Sequence, residues 1–256
     1  MKVLSIDLDY IMFATEPLFA NGGWDNHPMC RWDMFYKQTD YNESDLFHDE
    51  ARLHYLKNIF LNAIKKCSNV KFGYEHDDII YYIRDYDSID LVNIDHHDDV
   101  LMGCYDFYTE NDKNYEWKNY NIESKHVKKY DKVNEGNWIY WLQSKSKLKK
   151  FTWIGNNNSV SDEKHRWIKK NIKSYRFYPT MDYNFGDYDF DHVFLCLSPQ
   201  YIPPHIWHHF NWFIKEYENR YNIKINPREW ETRKIEIDYR YQEVSDAILY
   251  ECSNDR

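Results

Sequence analysis

Two apolar segments of this sequence each run into alternating acidic residues, and no other feature constrains the fold as much. Val3 to Asp9 reads VLSIDLD, and Leu91 to Asp99 reads LVNIDHHDD. Short, nearly continuous apolar runs are typical of strands that are buried in a parallel sheet. Carboxylates directly after such strands lie at the edge of the sheet, where sites of α/β proteins form. The pattern therefore predicts a functional site at the ends of these strands.

The rest of the chain alternates between strand-like and helix-like segments. Besides the first strand, the predicted strands are Val70–Gly73, Leu91–Ile94, Lys150–Trp153, His192–Leu197 and an edge strand at Arg233–Asp238. The predicted helices are Ser44–Lys66 with Ser44 as its cap, Asp77–Arg84, Trp138–Leu142, Glu163–Asn171 and His205–Asn219. Residues 19–33 and 105–134 are predicted to be loops. This order predicts an α/β protein with a mainly parallel sheet, in which residues 1–256 form one domain.

Composition narrows the function classes. A formal net charge of −9 argues against a nucleic-acid backbone as the main partner. The five cysteines are odd in number and no pair has CxxC spacing, so a zinc knot or a disulfide framework is not expected. The first residues resemble a strand and not a signal peptide, and no apolar stretch approaches the ~20 residues of a membrane helix. We therefore expect a cytoplasmic protein without a membrane partner.

The acidic and histidine residues form a plausible metal-ligand set. In extended structure, alternate residues point to the same side, so Asp95, His97 and Asp99 could meet one centre. Asp7 and Asp9 repeat this spacing, and His76 follows another short strand. Carboxylates that lie close together repel one another and need cations to be stable. Four carboxylates with two imidazoles favour Mn²⁺ or a similar divalent ion over thiol-bound zinc.

Each of these patterns also has an ordinary explanation. A single D-x-D is common at helix caps and surface loops, and a single histidine such as His76 is more often a hydrogen-bonded structural residue. DHHDD could by itself be a calcium-type acidic loop, although calcium sites seldom use histidine. The recurrence of such residues after three separate strands favours a joint metal site.

These motifs resemble the ureohydrolase superfamily, which contains the arginases and agmatinases. That superfamily carries G-G-D-H, then D-A-H-A-D about twenty residues later, and S-x-D-x-D elsewhere. GYEHDD around His76, DHHDD at 95–99 and SIDLD at 5–9 are similar to these elements. The last element opens this chain, whereas it comes last in arginases, so the resemblance implies a circularly permuted, arginase-like fold, a three-layer α/β/α sandwich with a mainly parallel sheet. NWI at 137–139 and SPQYIPP at 198–204 are similar to a ureohydrolase-like family, and within it the chain most resembles the peptide arginases.

The resemblance implies how the site is built. Asp7 and Asp95 would bridge two Mn²⁺ ions, His76 and Asp99 would complete one ion, and His97 and Asp9 the other. Asp99 would also be the catalytic residue, as the first candidate to donate a proton to the leaving amine. The predicted substrate-binding residues are Glu16, Asn137 and Gln200.

The departures from the arginase pattern indicate the substrate. Leu101 stands where arginases have an asparagine that helps to read the carboxylate of free arginine, and Ile139 stands where a proton-shuttling histidine is expected. We therefore expect a dinuclear manganese hydrolase that converts arginine to ornithine in a precursor peptide and releases urea. The alternatives are an agmatinase-like or deacetylase-like hydrolase of the same superfamily, or a metal-stabilised binding protein without catalysis.

Overall fold

The structure is a computed structural model that describes residues 1–12, 32, 35–37, 41, 43–100, 136–156, 169–170, 172, 174–179 and 181–225. In this part of the chain, six parallel strands form one sheet in the order β2-β6-β1-β3-β4-β5. The strands are β1 (Lys2–Asp7), β2 (Val70–Gly73), β3 (Ile89–Ile94), β4 (Leu148–Ile154), β5 (Tyr175–Tyr178) and β6 (His192–Cys196). The prediction of an α/β fold with a mainly parallel sheet is confirmed.

Helices cover both faces of this sheet. The described α-helices are α1 (Glu50–Ala63), α2 (Ile80–Ile83), α3 (Trp138–Ser144) and α4 (His208–Tyr221). In β1, Leu4 and Ile6 belong to the hydrophobic cluster that contains α1 and α4, whereas Val3 belongs to the cluster that contains α2 and α3. This alternation is the expected pattern of a strand buried on both faces. The two clusters therefore form the cores of the two helical layers on either side of the sheet.

Several predicted boundaries are wrong. The first strand ends at Asp7, because Leu8–Ile11 form a 3-10 helix. The helix predicted to start at Ser44 begins at Glu50, where the Asp49 side chain accepts hydrogen bonds from the backbone N–H groups of residues 51 and 52 and acts as the N-cap. The predicted segments 77–84 and 205–219 each divide into a 3-10 turn, His76–Ile79 or Pro204–Ile206, followed by an α-helix.

Other predictions agree with the structure or lie outside the described residues. The strands near residues 70, 91, 150 and 192 and the helix at Trp138 are all present, with ends that differ by a few residues. β5 was not predicted, because its YRFY sequence lacks the alternation of a half-buried strand. The predictions that lie outside the described part of the chain are Glu16, the loop 105–134, the edge strand 233–238, residues 163–168 and 171 of a predicted helix, and all but Trp32 of the loop 19–33.

No helix of the described residues combines the length and the apolar character that a membrane span requires.

Candidate metal centre

The predicted ligands lie at the carboxyl edge of the sheet, around its central strands. β1 ends at Asp7, Asp95 follows β3 directly, and His76 comes three residues after the end of β2. β1 pairs with β3 on one side and with β6 on the other. After β1, the next strand, β2, lies on the β6 side of β1, whereas β3, β4 and β5 lie on the other side. Open α/β sheets place their sites in the crevice at such a reversal of strand order.

The side chains do not converge in the way that the spacing predicted. Asp9 belongs to the 3-10 helix Leu8–Ile11, and residues 95–100 have no regular secondary structure. Asp99 has a φ of 51°, in the left-handed region. The expectation that extended backbone brings Asp95, His97 and Asp99 to one centre is therefore wrong, since the turn after β3 sends His97 and Asp99 to different neighbours.

Three residues form the inner triad, defined here as Asp7, His76 and Asp95. Their ligand atoms all lie within 4.8 Å of one another. His76 Nδ1 is 3.1 Å from Asp7 Oδ2 and 3.0 Å from Asp95 Oδ2. Asp99 Oδ2 approaches the same nitrogen to 2.8 Å, so four of the predicted ligands meet at this position.

A second group, the outer triad, consists of Asp9, Asp95 and His97, and its ligand atoms also lie within 4.8 Å of one another. His97 Nδ1 is 2.8 Å from Asp9 Oδ2 and 4.0 Å from Asp95 Oδ1. The His97 side chain is 27% exposed, whereas those of Asp9 and Asp95 are fully buried. The outer triad therefore marks the side from which solvent or a substrate can reach the centre.

Asp95 connects the two triads through its two oxygens. Oδ2 faces His76 of the inner triad, and Oδ1 faces His97 of the outer triad. The backbone N–H of His97 donates to Oδ1 at 2.7 Å, and Asn93 Nδ2 donates to Oδ2 at 3.0 Å. A carboxylate held in this way can bind one cation through each oxygen.

A shell of neutral donors orients the inner triad and Asp99. Ser198 Oγ donates to Asp7 Oδ2 at 2.5 Å, and Trp138 Nε1 donates to Asp99 Oδ2 at 2.5 Å. Ser5 Oγ lies 2.7 Å from His76 Nε2, so the other ring nitrogen, Nδ1, faces the carboxylates. Metal-binding histidines and carboxylates commonly have such outer partners, which fix the tautomer and the direction of the ligand atoms.

A polar chain holds the outer triad from behind. Arg52 of α1 donates to Asn156 Oδ1 at 2.9 Å, and Asn156 Nδ2 lies 3.2 Å from His96 Nδ1. The backbone N–H of His96 in turn donates to Asp9 Oδ1 at 3.2 Å. Helix α1 is thus connected to the predicted ligand Asp9 through a hydrogen-bonded series of Arg52, Asn156 and His96.

Three carboxylates of the cluster, those of Asp9, Asp95 and Asp99, have shifted pKa values. Burial raises the pKa of Asp9 well above its ordinary value, and the carboxylates of Asp7 and Asp95 raise it further. Burial and the nearby Asp95 likewise raise the pKa of Asp99. Burial alone would also raise the pKa of Asp95, but the neighbouring imidazoles outweigh burial and lower it. The cluster holds more negative charge than its imidazoles compensate, a situation that a divalent cation relieves.

The two imidazoles respond to the same carboxylates. Burial lowers the pKa of His76, but Asp99, Asp95 and Asp7 outweigh burial and raise it well above its ordinary value. Burial also lowers the pKa of His97, but the adjacent carboxylates raise it to about 9. The carboxylates therefore favour the protonated imidazoles for the same reason that they would favour a bound cation, since a positive charge stabilises them in either case.

One orphaned nitrogen tests whether a metal fits this position. His76 Nδ1 is buried and lies within 3.1 Å of three carboxylate oxygens, yet it makes no hydrogen bond of acceptable geometry with the described residues. A nitrogen that is surrounded by oxygens but not aimed at any of them is what a shared cation would require. The oxygen-rich donors with two imidazoles suit Mn²⁺ and similar ions. The residues present therefore fit the predicted divalent metal site.

The predicted substrate-binding residues fall into different environments. Gln200 is 9% exposed, and its Oε1 is buried without a hydrogen-bond partner among the described residues. Asn137 is 5% exposed and precedes Trp138, which contacts the cluster, but its side chain does not cap α3. Glu16 lies outside the described residues. The substrate roles of these three residues stay predictions.

Sequence reasoning missed most of the supporting residues. Ser5 and Asn93 each precede a predicted ligand by two positions, so the period of the strand was a signal that could have found them. Trp138 and Ser198 reach the site from distant segments, and no local pattern predicts their contacts.

Comparison of this chain with protein-family models, with characterised proteins and with solved structures finds no match. The class of site is therefore defined by the geometry above, as a buried carboxylate and imidazole cluster with two adjoining groups of residues that could hold a metal ion.

Proposed function

We propose that this protein is a hydrolase that uses two divalent metal ions, preferably Mn²⁺, and that it converts arginine residues of a peptide to ornithine with release of urea. The observation that carries the proposal is the shared carboxylate of Asp95, whose two oxygens face the imidazoles of the inner and the outer triad. Centres with two adjoining divalent ions are widely used for hydrolysis.

The metal chemistry follows from the donors. Asp7, His76 and Asp95, with Asp99 beside them, would hold one ion, and Asp9, Asp95 and His97 would hold the other. When bound, the two ions would lower the pKa of a water molecule and polarise the substrate. This arrangement supports a divalent-metal hydrolase more directly than it supports any particular substrate.

The guanidinium group of arginine supports the choice of substrate. The protein has a net charge of −9, which favours a cationic peptide over an acidic one. The buried, unpaired Oε1 of Gln200 is an acceptor that a guanidinium N–H could use. The resemblance to peptide arginases, together with Leu101 in place of the asparagine that reads a free carboxylate, favours arginine within a chain over free arginine.

The proposed reaction balances as a hydrolysis. An oxygen from water forms a bond to the guanidinium carbon, and the bond from that carbon to the side-chain nitrogen breaks. The nitrogen takes up a proton and becomes the amine of ornithine, and the carbon leaves with its other two nitrogens as urea. Asp99 is our candidate to hand over the proton, because it is the most exposed carboxylate of the cluster, at 5%.

The test is urea release from the Mn²⁺-loaded protein with an arginine-containing peptide and, separately, with free arginine. We expect urea only with the peptide, together with the mass loss of arginine converted to ornithine. Asp95→Asn keeps the shape of the bridging residue and should abolish turnover. Asp189→Asn removes a carboxylate that is 77% exposed and should leave turnover unchanged.

The outcomes separate the alternatives. Urea from free arginine but not from peptides would contradict the peptide substrate and indicate an ordinary arginase. Absence of urea from both substrates, in protein that holds two Mn²⁺ ions, would overturn the arginase proposal and leave an amide hydrolase or a binding protein.

A further inference from the structure

One fully buried tryptophan contacts the cluster without being a possible metal ligand. Trp138 is the first residue of α3 and is 0% exposed. Its indole N–H donates to Asp99 Oδ2 at 2.5 Å, and its ring centroid lies 4.9 Å from that of His76. The indole is a hydrogen-bond donor only, so it can orient a carboxylate without competing for a cation or changing its own charge.

Asp99 is a residue whose direction has to be maintained by its surroundings. Its φ of 51° places the backbone in the left-handed region, which is unfavourable for most side chains although aspartate tolerates it better than others. Its Oδ2 is also 2.8 Å from His76 Nδ1, within a cluster of like-charged groups that repel it. A strong, neutral donor on the same oxygen holds the carboxylate against this repulsion.

We propose that Trp138 is a positioning residue that fixes Asp99 for the ion of the inner triad. This inference rests on the two-ion centre of the proposed function, but not on the identity of the substrate. The indole N–H is bound to Asp99 Oδ2, and the same oxygen lies 2.8 Å from His76 Nδ1, so the hydrogen bond would hold this oxygen beside the inner triad. Loss of an outer partner of this kind typically weakens metal affinity by about 10- to 100-fold.

The chain offers matched tryptophans as controls. Trp207 donates its indole N–H to the backbone oxygen of Ile202 at 2.8 Å. Trp153 is fully buried like Trp138, but donates to the backbone oxygen of Asp95 at 3.0 Å and not to a carboxylate. Changing each of these to phenylalanine keeps an aromatic ring and removes one N–H donor.

The experiment measures Mn²⁺ binding by electron paramagnetic resonance of the free ion during titration of the metal-free protein. We expect wild-type protein and Trp207→Phe to bind two ions alike, and Trp138→Phe to bind one ion about 10- to 100-fold more weakly. In an Asp99→Asn background, Trp138→Phe should cause little further loss, because the tryptophan acts through that carboxylate. Trp153→Phe removes a fully buried indole whose N–H is bound to the backbone of Asp95, and so shows the effect of losing a buried donor that does not act on a carboxylate.

A second measurement uses the unaltered protein, so that it stands even if Trp138→Phe does not fold. In nuclear magnetic resonance spectra, the indole N–H with a cross-peak to the His76 ring should be protected from exchange and should shift when Mg²⁺ is added. A shift at this proton, with the Trp207 N–H unaffected, supports the proposal.

Three results would overturn it. The first is that Trp138→Phe and wild type bind both ions with equal affinity. The second is that Trp138→Phe weakens binding as much in the Asp99→Asn background as in wild type. The third is that the indole N–H near His76 does not shift when Mg²⁺ is added. Two bound ions without urea release would reject the proposed reaction and leave the role of Trp138 intact. Failure of the wild-type protein to bind Mn²⁺ would overturn both.

Discussion

Ser198 donates its hydroxyl hydrogen to Asp7 Oδ2 at 2.5 Å, although the two residues are 191 positions apart in the sequence. Asp7 ends β1, and Ser198 lies just beyond the neighbouring β6, so the contact joins two strands at the carboxyl edge of the sheet. Ser198 itself has a φ of 50°, in the left-handed region. A strained backbone position thus supplies a donor to the cluster, which is a pattern found at functional sites.

Replacement of Ser198 should separate the hydrogen bond from the backbone strain. Ser198→Ala and Ser198→Gly both remove the hydroxyl group, so we expect both to weaken Mn²⁺ binding by about 10- to 100-fold. Glycine adopts positive φ without a steric penalty, so Ser198→Gly should have a free energy of unfolding about 1 kcal/mol higher than Ser198→Ala. Metal titration and urea denaturation in the presence of a chelator measure the two effects. Wild-type affinity in both variants would contradict a role for the hydroxyl.

Metal removal should destabilise the protein, because cations at the proposed centre would bind the folded cluster and not the unfolded chain. At a free Mn²⁺ concentration ~100 times the dissociation constant, each ion adds about 2.7 kcal/mol to the free energy of unfolding. Asp9→Asn removes a ligand of the outer triad alone, so the stabilisation by Mn²⁺ should fall to roughly half. Thermal unfolding with Mn²⁺ and with chelator measures this difference.

Without metal, Asp9→Asn should not lower the free energy of unfolding. Burial and the carboxylates of Asp7 and Asp95 raise the pKa of Asp9, so its ionised form is unfavourable in the metal-free fold. We therefore expect metal-free Asp9→Asn to be no less stable than the metal-free wild type. A metal-free variant that is clearly less stable would mean that Asp9 is a structural residue of the fold.

His209 should make stability depend on pH. Burial, together with the nearby His208, His48 and Lys57, lowers its pKa from an ordinary 6.5 to about 3. The acidic side chain of Glu50 contacts His48 at 3.1 Å. Between these two pKa values the unfolded chain binds a proton and the folded protein does not. The contribution of neutral His209 is therefore present above about pH 6.5 and is lost as the pH falls towards 3.

The variant His209→Phe tests this dependence, because it keeps the ring contacts with His48 and His208 and cannot titrate. Its free energy of unfolding should fall less than that of wild type between about pH 7 and about pH 5. His54→Gln removes an exposed histidine and should follow the wild-type curve. Denaturant unfolding of metal-free protein at several pH values measures this, and identical slopes for His209→Phe and wild type would contradict the prediction.

Asp49 should contribute to stability as the N-cap of α1. Its Oδ1 accepts hydrogen bonds from the backbone N–H groups of Ala51 at 2.8 Å and Arg52 at 3.1 Å. Asp49→Ala should lower the free energy of unfolding by about 1 kcal/mol, whereas Asp49→Ser, which can still cap, should lose less. Urea denaturation measures both variants, and an equal loss would indicate that the contact with the Arg52 side chain matters more than the cap.

Part of the fold and of the site could be read from the sequence because it depends on local periodicity. Apolar runs such as Val3–Ile6 predict strands that are buried on both faces, and the structure places them in a parallel sheet. The polar residues that end these runs necessarily lie at the carboxyl edge. The predicted ligands therefore come together at one edge of the sheet, and their chemical type follows from the residues themselves.

Only the tertiary structure decided how these residues divide between the inner and the outer triad. The turn after β3 is irregular, so Asp99 approaches His76 while His97 approaches Asp9, a division that strand periodicity does not contain. The donors that hold the cluster, Ser198 and Trp138, come from segments far away in the chain. The sequence by itself determined the apolar strands at the centre of the sheet and the donor chemistry, because both are local properties. Strand pairing, burial and the division of the cluster into an inner and an outer triad were decided by packing, because they depend on contacts between segments that meet only when the sheet is assembled.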